Sequence, residues 1–276
     1  MKVIFLDIDG TLTEPGKNTP PDSAVLAIRK AREAGNKVFL CTGRNYGMLK
    51  PLLAYEFDGL IASSGGYVEV GGEVIYNRPF TDDETAQVMG VLAENGIFRT
   101  VECKDGSFTD YGLKEFLRAH AGENGNSELL RWREQIESSL GIRPMGEYEE
   151  QPVYKVVLMA LSMEALKNVK KTLDPASFNV CIQEANGQSV FNGELISSCY
   201  DKGQAVKRVC EYLGCPIEDS YGFGDSMNDL EMVEAVGNSV VMENGSEMLK
   251  KMADLVAPAY DQDGILKAFE ICKLIG

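Results

Sequence analysis

Residues 2–11, KVIFLDIDGT, join a short apolar strand to a pair of carboxylates. The strand predicted at residues 3–6 is apolar throughout, as buried strands of parallel sheets are. Asp7 and Asp9 follow where the chain leaves its carboxyl end, and side chains two residues apart share one face. Ligands bind beyond the carboxyl ends of strands in open parallel sheets, and two acids placed there require a cation or a proton. The stretch therefore predicts an α/β fold with a functional site at this sheet edge.

Strands and amphipathic helices alternate over the first eighty residues, which is a βαβαβ pattern. Asp22, after two prolines, is the predicted N-cap of the first helix, and Gly35 is its predicted C′ residue. A hairpin is predicted at residues 68–76, around Gly71 and Gly72. The other elements predicted here are strands 38–41 and 60–62 and helices 22–34 and 46–54.

The same alternation returns after about residue 200, and the material between differs from it. We expect residues 1–80 and 195–276 to form one core with a Rossmann-like, doubly wound parallel sheet, and residues 81–194 to form an inserted α/β domain. The core elements predicted are helices 202–213, 227–236 and one from 264, with strands 220–223 and 239–242. Those of the insertion are helices 83–94 and 127–140, segments 153–161 and 165–173, and paired strands near 178–191.

Composition excludes several classes of protein. The 276 residues carry 27 Lys+Arg against 42 Asp+Glu, a net charge of −15 without a basic stripe, so nucleic acid is not an expected partner. The longest strongly apolar stretch, residues 156–163, is far shorter than the ~20 residues of a membrane-spanning helix, and we expect no signal peptide. Seven cysteines without a CxxC pair predict reduced thiols and a cytoplasmic protein. Because the chain has a single histidine, we expect carboxylates, lysine and hydroxyl groups to carry out any catalysis.

Two other predicted strands also end in polar residues. Thr42, Gly43 and Arg44 offer a hydroxyl and backbone N–H groups at a helix N-terminus, which is a small phosphate cradle. On their own these three residues would be interpreted as an ordinary helix N-cap. The loop after strand 220–223 carries more acids than an N-cap needs, with Asp225, Ser226, Asn228 and Asp229.

Lys202 begins a predicted helix, where a cation opposes the helix dipole. An anion nearby would explain the position, because a lysine there can hold a phosphate and offset the carboxylates. A solvated surface lysine is the alternative interpretation.

Four segments resemble the four motifs of the haloacid dehalogenase-like phosphohydrolases of the Cof type, in the family's order and spread across the whole chain. They are DIDGT at 7–11, CTGR at 41–44, DKGQAV at 201–206 and GDSMND at 224–229. In that group a large α/β cap lies between the second and third motifs, which is the place of residues 81–194. One departure is Ser63-Ser64-Gly65-Gly66, where such proteins often carry an Asn-Gly pair.

The resemblance implies a role for each motif. Asp7 would attack phosphorus and carry an aspartyl-phosphate, and Asp9 would protonate the leaving alkoxide and then activate water. Arg44 and helix N-termini would help to reverse the acidic field around an anionic substrate. The implied phosphate-binding residues are Thr42, Gly43, Lys202 and Asn228, and the implied Mg²⁺ ligands are Asp7, Asp9 through its main-chain carbonyl, Asp225 and Asp229.

The implied function is a Mg²⁺-dependent phosphatase for small phosphomonoesters, of which sugar phosphates are the commonest class. Its partner would be a small phosphorylated metabolite, and the cap would close over the site and select the substrate. A sugar-phosphate phosphomutase and a non-catalytic phosphometabolite-binding protein are the alternatives. The sequence leaves the physiological substrate and the oligomeric state open. Within the cap, Glu184, Asn186 and Gln188 could reach a sugar hydroxyl or simply form a hairpin turn, and Trp132 is interpreted as packing.

Overall fold

The computed structural model describes residues 1–120, 142–183 and 190–275. The chain divides into two compact units. The first unit contains Met1–Arg44, Leu49–Asn77 and Asp201–Gly276, and the second contains Asn45–Met48 and Arg78–Tyr200. The corresponding junctions in the predicted division are 80/81 and 194/195. The predicted helix 127–140, with Trp132, and the turn residues Glu184, Asn186 and Gln188 lie outside the described residues.

Strands and helices alternate through both units of the described chain. The strands are β1 Val3–Leu6, β2 Lys37–Cys41, β3 Gly59–Ala62, β4 Tyr67–Val70, β5 Glu73–Asn77, β6 Phe98–Cys103, β7 Ser107–Thr109, β8 Ile142–Pro144, β9 Val153–Ala160, β10 Phe178–Gln183, β11 Phe191–Ser197, β12 Ser220–Gly224, β13 Asn238–Met242 and β14 Leu255–Ala257. The helices are α1 Asp22–Glu33, α2 Tyr46–Leu49, α3 Asp82–Glu94, α4 Leu113–His120, α5 Met163–Thr172, α6 Lys202–Leu213, α7 Leu230–Ala235, α8 Glu247–Lys250 and α9 Gly264–Ile271.

An eight-stranded sheet forms the centre of the first unit, in the order β14-β13-β12-β1-β2-β3-β4-β5. The six strands from β14 to β3 are parallel, and β4 and β5 are antiparallel additions at one edge. These two form the predicted hairpin, whose turn residues Gly71 and Gly72 have φ angles of +57° and +87° that suit glycine. The predicted α/β fold class with a parallel core sheet is confirmed.

Helices cover both faces of this sheet. On one face, Val206 of α6 belongs to the same buried apolar cluster as Phe5 of β1. Phe223 of β12 is in register with Leu6, so it points to the opposite face, where the ring of Phe269 from α9 lies 5.2 Å from it between centroids. Burying a phenylalanine of this kind contributes roughly 1.5–3 kcal/mol. Apolar packing on both faces thus anchors the sheet that carries the polar loops at its edge.

Three predicted helix boundaries were wrong. The N-cap of α1 is Pro21, and Asp22 instead lies in the first turn, where its charge suits the helix dipole. Gly35 has a φ of +84° just after the helix, as predicted. The helix predicted at 46–54 ends at Leu49, because Pro51 disfavours helical backbone before it, and a short 3₁₀ segment follows. The helix predicted at 227–236 begins as a 3₁₀ turn and becomes α-helical at Leu230.

A six-stranded sheet forms the second unit, in the order β10-β11-β9-β6-β7-β8. The neighbouring strands are antiparallel, except for the parallel pair β7 and β8. Helices α3 and α5 pack on one face through Val88, Leu92, Leu166 and Val169. Among the helices that the structure describes, none combines the length and apolar character that a membrane crossing requires.

One buried ion cluster lies within the second unit. The ammonium of Lys155, on β9, is 2.7 Å from Glu194 Oε1 on β11 and 3.3 Å from Glu102 Oε2 on β6. The cluster joins three strands, and losing Lys155 would leave two buried carboxylates without their ammonium.

Candidate active site

The carboxyl ends of four adjacent parallel strands, β12, β1, β2 and β3, lie at one edge of the core sheet. Asp7 N–H donates to the carbonyl of Phe223 at 2.9 Å, which extends the pairing of β1 with β12 by one residue. Thr42 N–H donates to the carbonyl of Ile61 at 2.9 Å and extends the pairing of β2 with β3. Backbone hydrogen bonds therefore fix the points at which the polar loops leave the sheet.

Three buried carboxylates meet at this edge. Oxygens of Asp7, Asp225 and Asp229 lie within 4.8 Å of one another. Gly10 permits this approach, because a Cβ at its position would lie 2.5 Å from Asp225 Oδ2 and its φ is +85°. Asp229 is oriented by two backbone donors, since its Oδ2 accepts from the N–H groups of Asp225 at 3.0 Å and Ser226 at 3.1 Å.

Lys202 lies between two of these acids. Its Nζ donates to Asp7 Oδ1 at 2.7 Å and to Asp229 Oδ1 at 2.5 Å, and its side chain is 1 % exposed. The lysine is the first residue of α6, whose N-cap, Asp201, accepts from a backbone N–H of the first turn at 2.7 Å. A Cβ on Gly203 would lie 2.3 Å from a carbonyl oxygen of α7, so glycine lets α6 approach α7 and bring the lysine to the carboxylates.

The charges of the cluster do not balance. Burial and, next, the charge of Asp229 raise the pKa of Asp7 to about 8, although Lys202 opposes both. Burial, with Asp229 and Asp7, also raises the pKa of Asp225 well above its ordinary value. Burial lowers the pKa of Lys202, but Asp229 and Asp7 together hold it well above its ordinary value. Three carboxylates and one ammonium leave a net charge of −2 when all are ionised.

The donor set fits a divalent cation. A buried excess of −2 is costly without a counter-charge, and the available ligand atoms are all oxygens, which suit Mg²⁺ better than zinc. Both oxygens of Asp229 are engaged, one with Lys202 and one with backbone N–H groups. Asp229 is therefore better placed to orient the cluster, and the carboxylates of Asp7 and Asp225 are better placed as direct ligands.

Asp9 belongs to a second, separate ion pair. Arg44 Nε donates to Asp9 Oδ2 at 2.8 Å and Nη2 donates to Oδ1 at 2.6 Å, a bidentate contact between buried groups. Gly16 N–H also donates to Asp9 Oδ1, at 2.7 Å. The guanidinium is held from behind by Asn18 Oδ1 at 2.6 Å and the carbonyl of Lys17 at 3.0 Å. Arg44, expected to offset the charge of a substrate, thus offsets that of Asp9 instead.

The predicted phosphate-binding residues outside the carboxylate cluster lie in two loops. Thr42 is buried, and its Oγ1 accepts from the N–H of Arg44 at 3.1 Å, which leaves its own hydroxyl proton to donate elsewhere. Gly43 lies between these two residues in the same turn. Asn228 is half-buried, and its Oδ1 accepts from Ser226 Oγ at 2.6 Å. A contact of these residues with phosphate stays a prediction.

The segment that departs from the family's pattern supports the loop after β2. Ser63 N–H donates to the carbonyl of Arg44 at 2.8 Å, and Ser64 N–H donates to the carbonyl of Thr42 at 3.0 Å. Both serines have left-handed backbone, with φ angles of 50° and 56°. Asparagine and glycine adopt this conformation more readily, which accounts physically for an Asn-Gly pair at this place.

Sequence reasoning missed two asparagines that support the site. Asn18 holds Arg44, and Asn244 Nδ2 donates to the carbonyl of Gly10 at 2.8 Å, which ties the loop after β13 to the loop after β1. Neither lies in a motif, and the contact with Gly10 spans 234 positions of sequence. The only sequence signal for Asn244 is its place two residues after the predicted strand 239–242, in a polar loop at the same sheet edge.

The α/β core carries buried carboxylates at one edge of its sheet, and a second α/β unit is inserted into it. This arrangement agrees with the class of phosphohydrolases that the four sequence motifs indicate. Residues 4–269 match the haloacid dehalogenase-like hydrolase family, and the chain belongs to that family. The 5-amino-6-(5-phospho-D-ribitylamino)uracil phosphatase of Bacillus subtilis (strain 168) is 27% identical over 279 residues, with 96% of each chain covered.

Two solved structures share the fold. A haloacid dehalogenase-like hydrolase from B. subtilis has a TM-score of 0.81 at 23% identity, covering 98% of this chain and 99% of its own. The subclass IIB sugar phosphatase BT4131 has a TM-score of 0.76 at 23% identity, covering 100% of both chains. The predicted family, fold and enzyme class are confirmed: the chain is a phosphoric monoester hydrolase.

Proposed function

We propose that the protein is a Mg²⁺-dependent phosphatase that hydrolyses small phosphomonoesters, sugar phosphates in particular, through an aspartyl-phosphate intermediate. The observation that carries the proposal is the buried cluster of Asp7, Asp225, Asp229 and Lys202. A nucleophilic carboxylate, a counter-charge for phosphate and an all-oxygen cation site are thereby combined in one place.

Asp7 supplies the nucleophile. One of its carboxylate oxygens attacks phosphorus, the bond from phosphorus to the leaving oxygen breaks, and the alkoxide takes a proton from Asp9. Water then attacks the phosphorus of the aspartyl-phosphate, Asp9 takes a proton from that water, and the Asp7 carboxylate leaves with inorganic phosphate released. The contact of 2.7 Å from Lys202 Nζ to Asp7 Oδ1 supports this role, because it favours the ionised nucleophile.

The transferring phosphoryl group needs donors and positive charge around its oxygens. Lys202, the Thr42 hydroxyl, the Gly43 N–H and the Asn228 amide would supply the donors. The carboxylates of Asp7 and Asp225 and the main-chain carbonyl of Asp9 would hold Mg²⁺, with Asp229 completing or orienting the set. When bound, Mg²⁺ neutralises phosphoryl charge and orients the group.

Substrate choice would lie in the inserted cap, for which we propose residues 81–194, with the catalytic core formed by 1–80 and 195–276. The relative from B. subtilis is named for a phosphorylated ribitylaminouracil, and BT4131 is titled a sugar phosphatase. Both names describe phosphorylated polyhydroxy compounds, and this shared chemistry supports sugar phosphates as the first substrates to test.

The test is release of inorganic phosphate from sugar phosphates, nucleotides and an aryl phosphate, with Mg²⁺ and with chelator. Asp7→Asn should abolish release, while Asp22→Asn, which changes an exposed acid in α1, should retain it. Full activity in chelator would contradict the metal dependence, and activity of Asp7→Asn would contradict the nucleophile. An isomerised sugar phosphate without free phosphate would instead identify a phosphomutase, and binding without turnover a non-catalytic protein.

A further inference from the structure

We propose that Arg44 is a positioning residue that sets the orientation of the Asp9 carboxyl group for proton transfer to the leaving group. The inference rests on the proposed function, in which Asp9 is the group that protonates the alkoxide. It gives Arg44 a task other than binding the phosphate of the substrate.

The geometry of the pair is a two-point clamp. The guanidinium contacts both oxygens of Asp9, at 2.8 and 2.6 Å, and Gly16 N–H contacts one of them from another side at 2.7 Å. Two parallel N–H bonds fix the plane of a carboxyl group as well as its position. A lysine at position 44 could match the charge but not this planar fork.

The clamp is itself held rigidly. Four N–H groups of Arg44 are committed: two to Asp9, one to Asn18 Oδ1 and one to the Lys17 carbonyl. The side chain is 1 % exposed, and its backbone N–H is held by the Thr42 hydroxyl oxygen. A guanidinium has five N–H donors. Because four of them are bonded to these partners, at most one remains to donate to a phosphate.

The same clamp separates the two acids of the first motif. Asp7 has Lys202 as its cationic partner and Asp9 has Arg44, so each carboxylate pairs with a different cation. The loop that carries both acids continues through Gly10, which has a φ of +85°, and the clamp fixes the side chain just before this glycine. A misplacement of about 1 Å can cost on the order of 10²-fold in rate, so we expect the rate of proton transfer to depend on the orientation of Asp9.

The leaving group tests this task selectively. A hexose 6-phosphate expels an alkoxide that needs a proton, whereas 4-nitrophenyl phosphate expels a stable phenolate that does not. The ratio kcat/KM reports the steps through release of the first product, before the aspartyl-phosphate is hydrolysed. Arg44→Lys should lower kcat/KM for the hexose ester on the order of 10²-fold and for the aryl ester by less than about 5-fold.

Two further variants complete the design. Asp9→Asn should show the same selectivity, and adding Arg44→Lys to it should cost nothing more, because a positioning residue has no effect once its target is absent. Arg29→Lys is the matched control, since Arg29 is exposed on α1 and pairs only loosely with Glu33 at 3.9 Å. Asn18→Ala, which removes one support of the guanidinium, should give a weaker loss of the same selectivity and serves if Arg44→Lys does not fold.

Equal losses on the two esters would overturn the inference, because they indicate phosphate binding or a general structural role. Losses that multiply in the double variant would also overturn it, since Arg44 would then act independently of Asp9. Wild-type protein that hydrolyses neither ester would overturn the proposed function as well, so the two failures are distinguishable.

Discussion

Replacing Asp7 by Asn should make the metal-free protein more stable at neutral pH, although it removes the proposed nucleophile. Burial and the charge of Asp229 raise the pKa of Asp7 to about 8, so the folded chain binds this proton more tightly than the unfolded chain does. The associated stability is fully present below about pH 4 and is lost as the pH rises through about 8. Asparagine imitates the neutral carboxyl group at every pH and leaves Lys202 its bond to Asp229.

The magnitude follows from the two pKa values. About 1.4 kcal/mol of stability is lost for each pH unit between the ordinary pKa of 3.8 and the pH of measurement, as long as this lies below about 8. At pH 7 the wild-type protein has therefore lost about 4 kcal/mol that Asp7→Asn retains. The pKa of Asp225 is also raised, so its contribution to stability falls with rising pH in both proteins.

Urea unfolding followed by circular dichroism in EDTA, at pH 5, 6, 7 and 8, measures this difference. The advantage of Asp7→Asn should grow steadily with pH, whereas Asp22→Asn should follow wild type. Excess Mg²⁺ should then stabilise wild type by about 3 kcal/mol at 100 times its Kd and the variant less, because the variant lacks one ligand. An Asp7→Asn protein no more stable than wild type at pH 7 in EDTA, or a difference independent of pH, would refute the reasoning.

Three other substitutions should have the following effects. Lys202→Met leaves two buried carboxylates without their ammonium. It should cost about 3–5 kcal/mol of stability in EDTA, measured by urea unfolding, and should abolish phosphate release. Unchanged stability would contradict the charge assignment. Gly65→Ala places a Cβ 2.4 Å from the carbonyl oxygen of Asp201 at a φ of +106°, so it should lower both the unfolding midpoint and kcat by moving α6; wild-type values of both would argue against that packing. Lys155→Met should destabilise the second unit by about 3–5 kcal/mol, measured by hydrogen exchange of the backbone amides of β9. Exchange in β1 should be unaffected. Equal protection of β9 in both proteins would show that the cluster is not stabilising.

Elements with complete local signals could be predicted from the sequence. Helix α6 has the predicted bounds because Asp201 caps its start and Gly214, at a φ of +63°, ends it. The adjacency of Asp7 and Asp225 followed from topology, since both end strands of one parallel sheet. The helix bounds depend on short-range rules, whereas the adjacency depends on the general rule that the carboxyl ends of parallel strands meet at one edge of their sheet.

Features made by long-range pairing could not be predicted in this way. Strands β7, β8 and β14 have three residues each, too few for a hydrophobic period, and depend on their neighbours for pairing. The residues that hold Asp9 lie 7 and 35 positions from it, and their charges alone do not specify a bidentate contact. The helix at 46–54 is a different case, because Pro51 was a local signal that outweighs the amphipathic pattern.

The distribution of charge at the sheet edge orders the events of the proposed reaction. Arg44 and Asp9 neutralise each other, so this pair contributes little net charge. When all three are ionised, an excess of −2 remains on Asp7, Asp225 and Asp229 after Lys202 is counted, and it would repel a phosphate dianion. One divalent cation would bring this sum to zero, and in the proposed reaction the N–H and O–H donors around Thr42 and Asn228 would then bind phosphoryl oxygens without opposing charge. Among the residues whose contacts the structure describes, no cationic side chain other than Lys202 is paired with this cluster. We therefore expect the cation to be needed for binding of the substrate as well as for its chemical conversion.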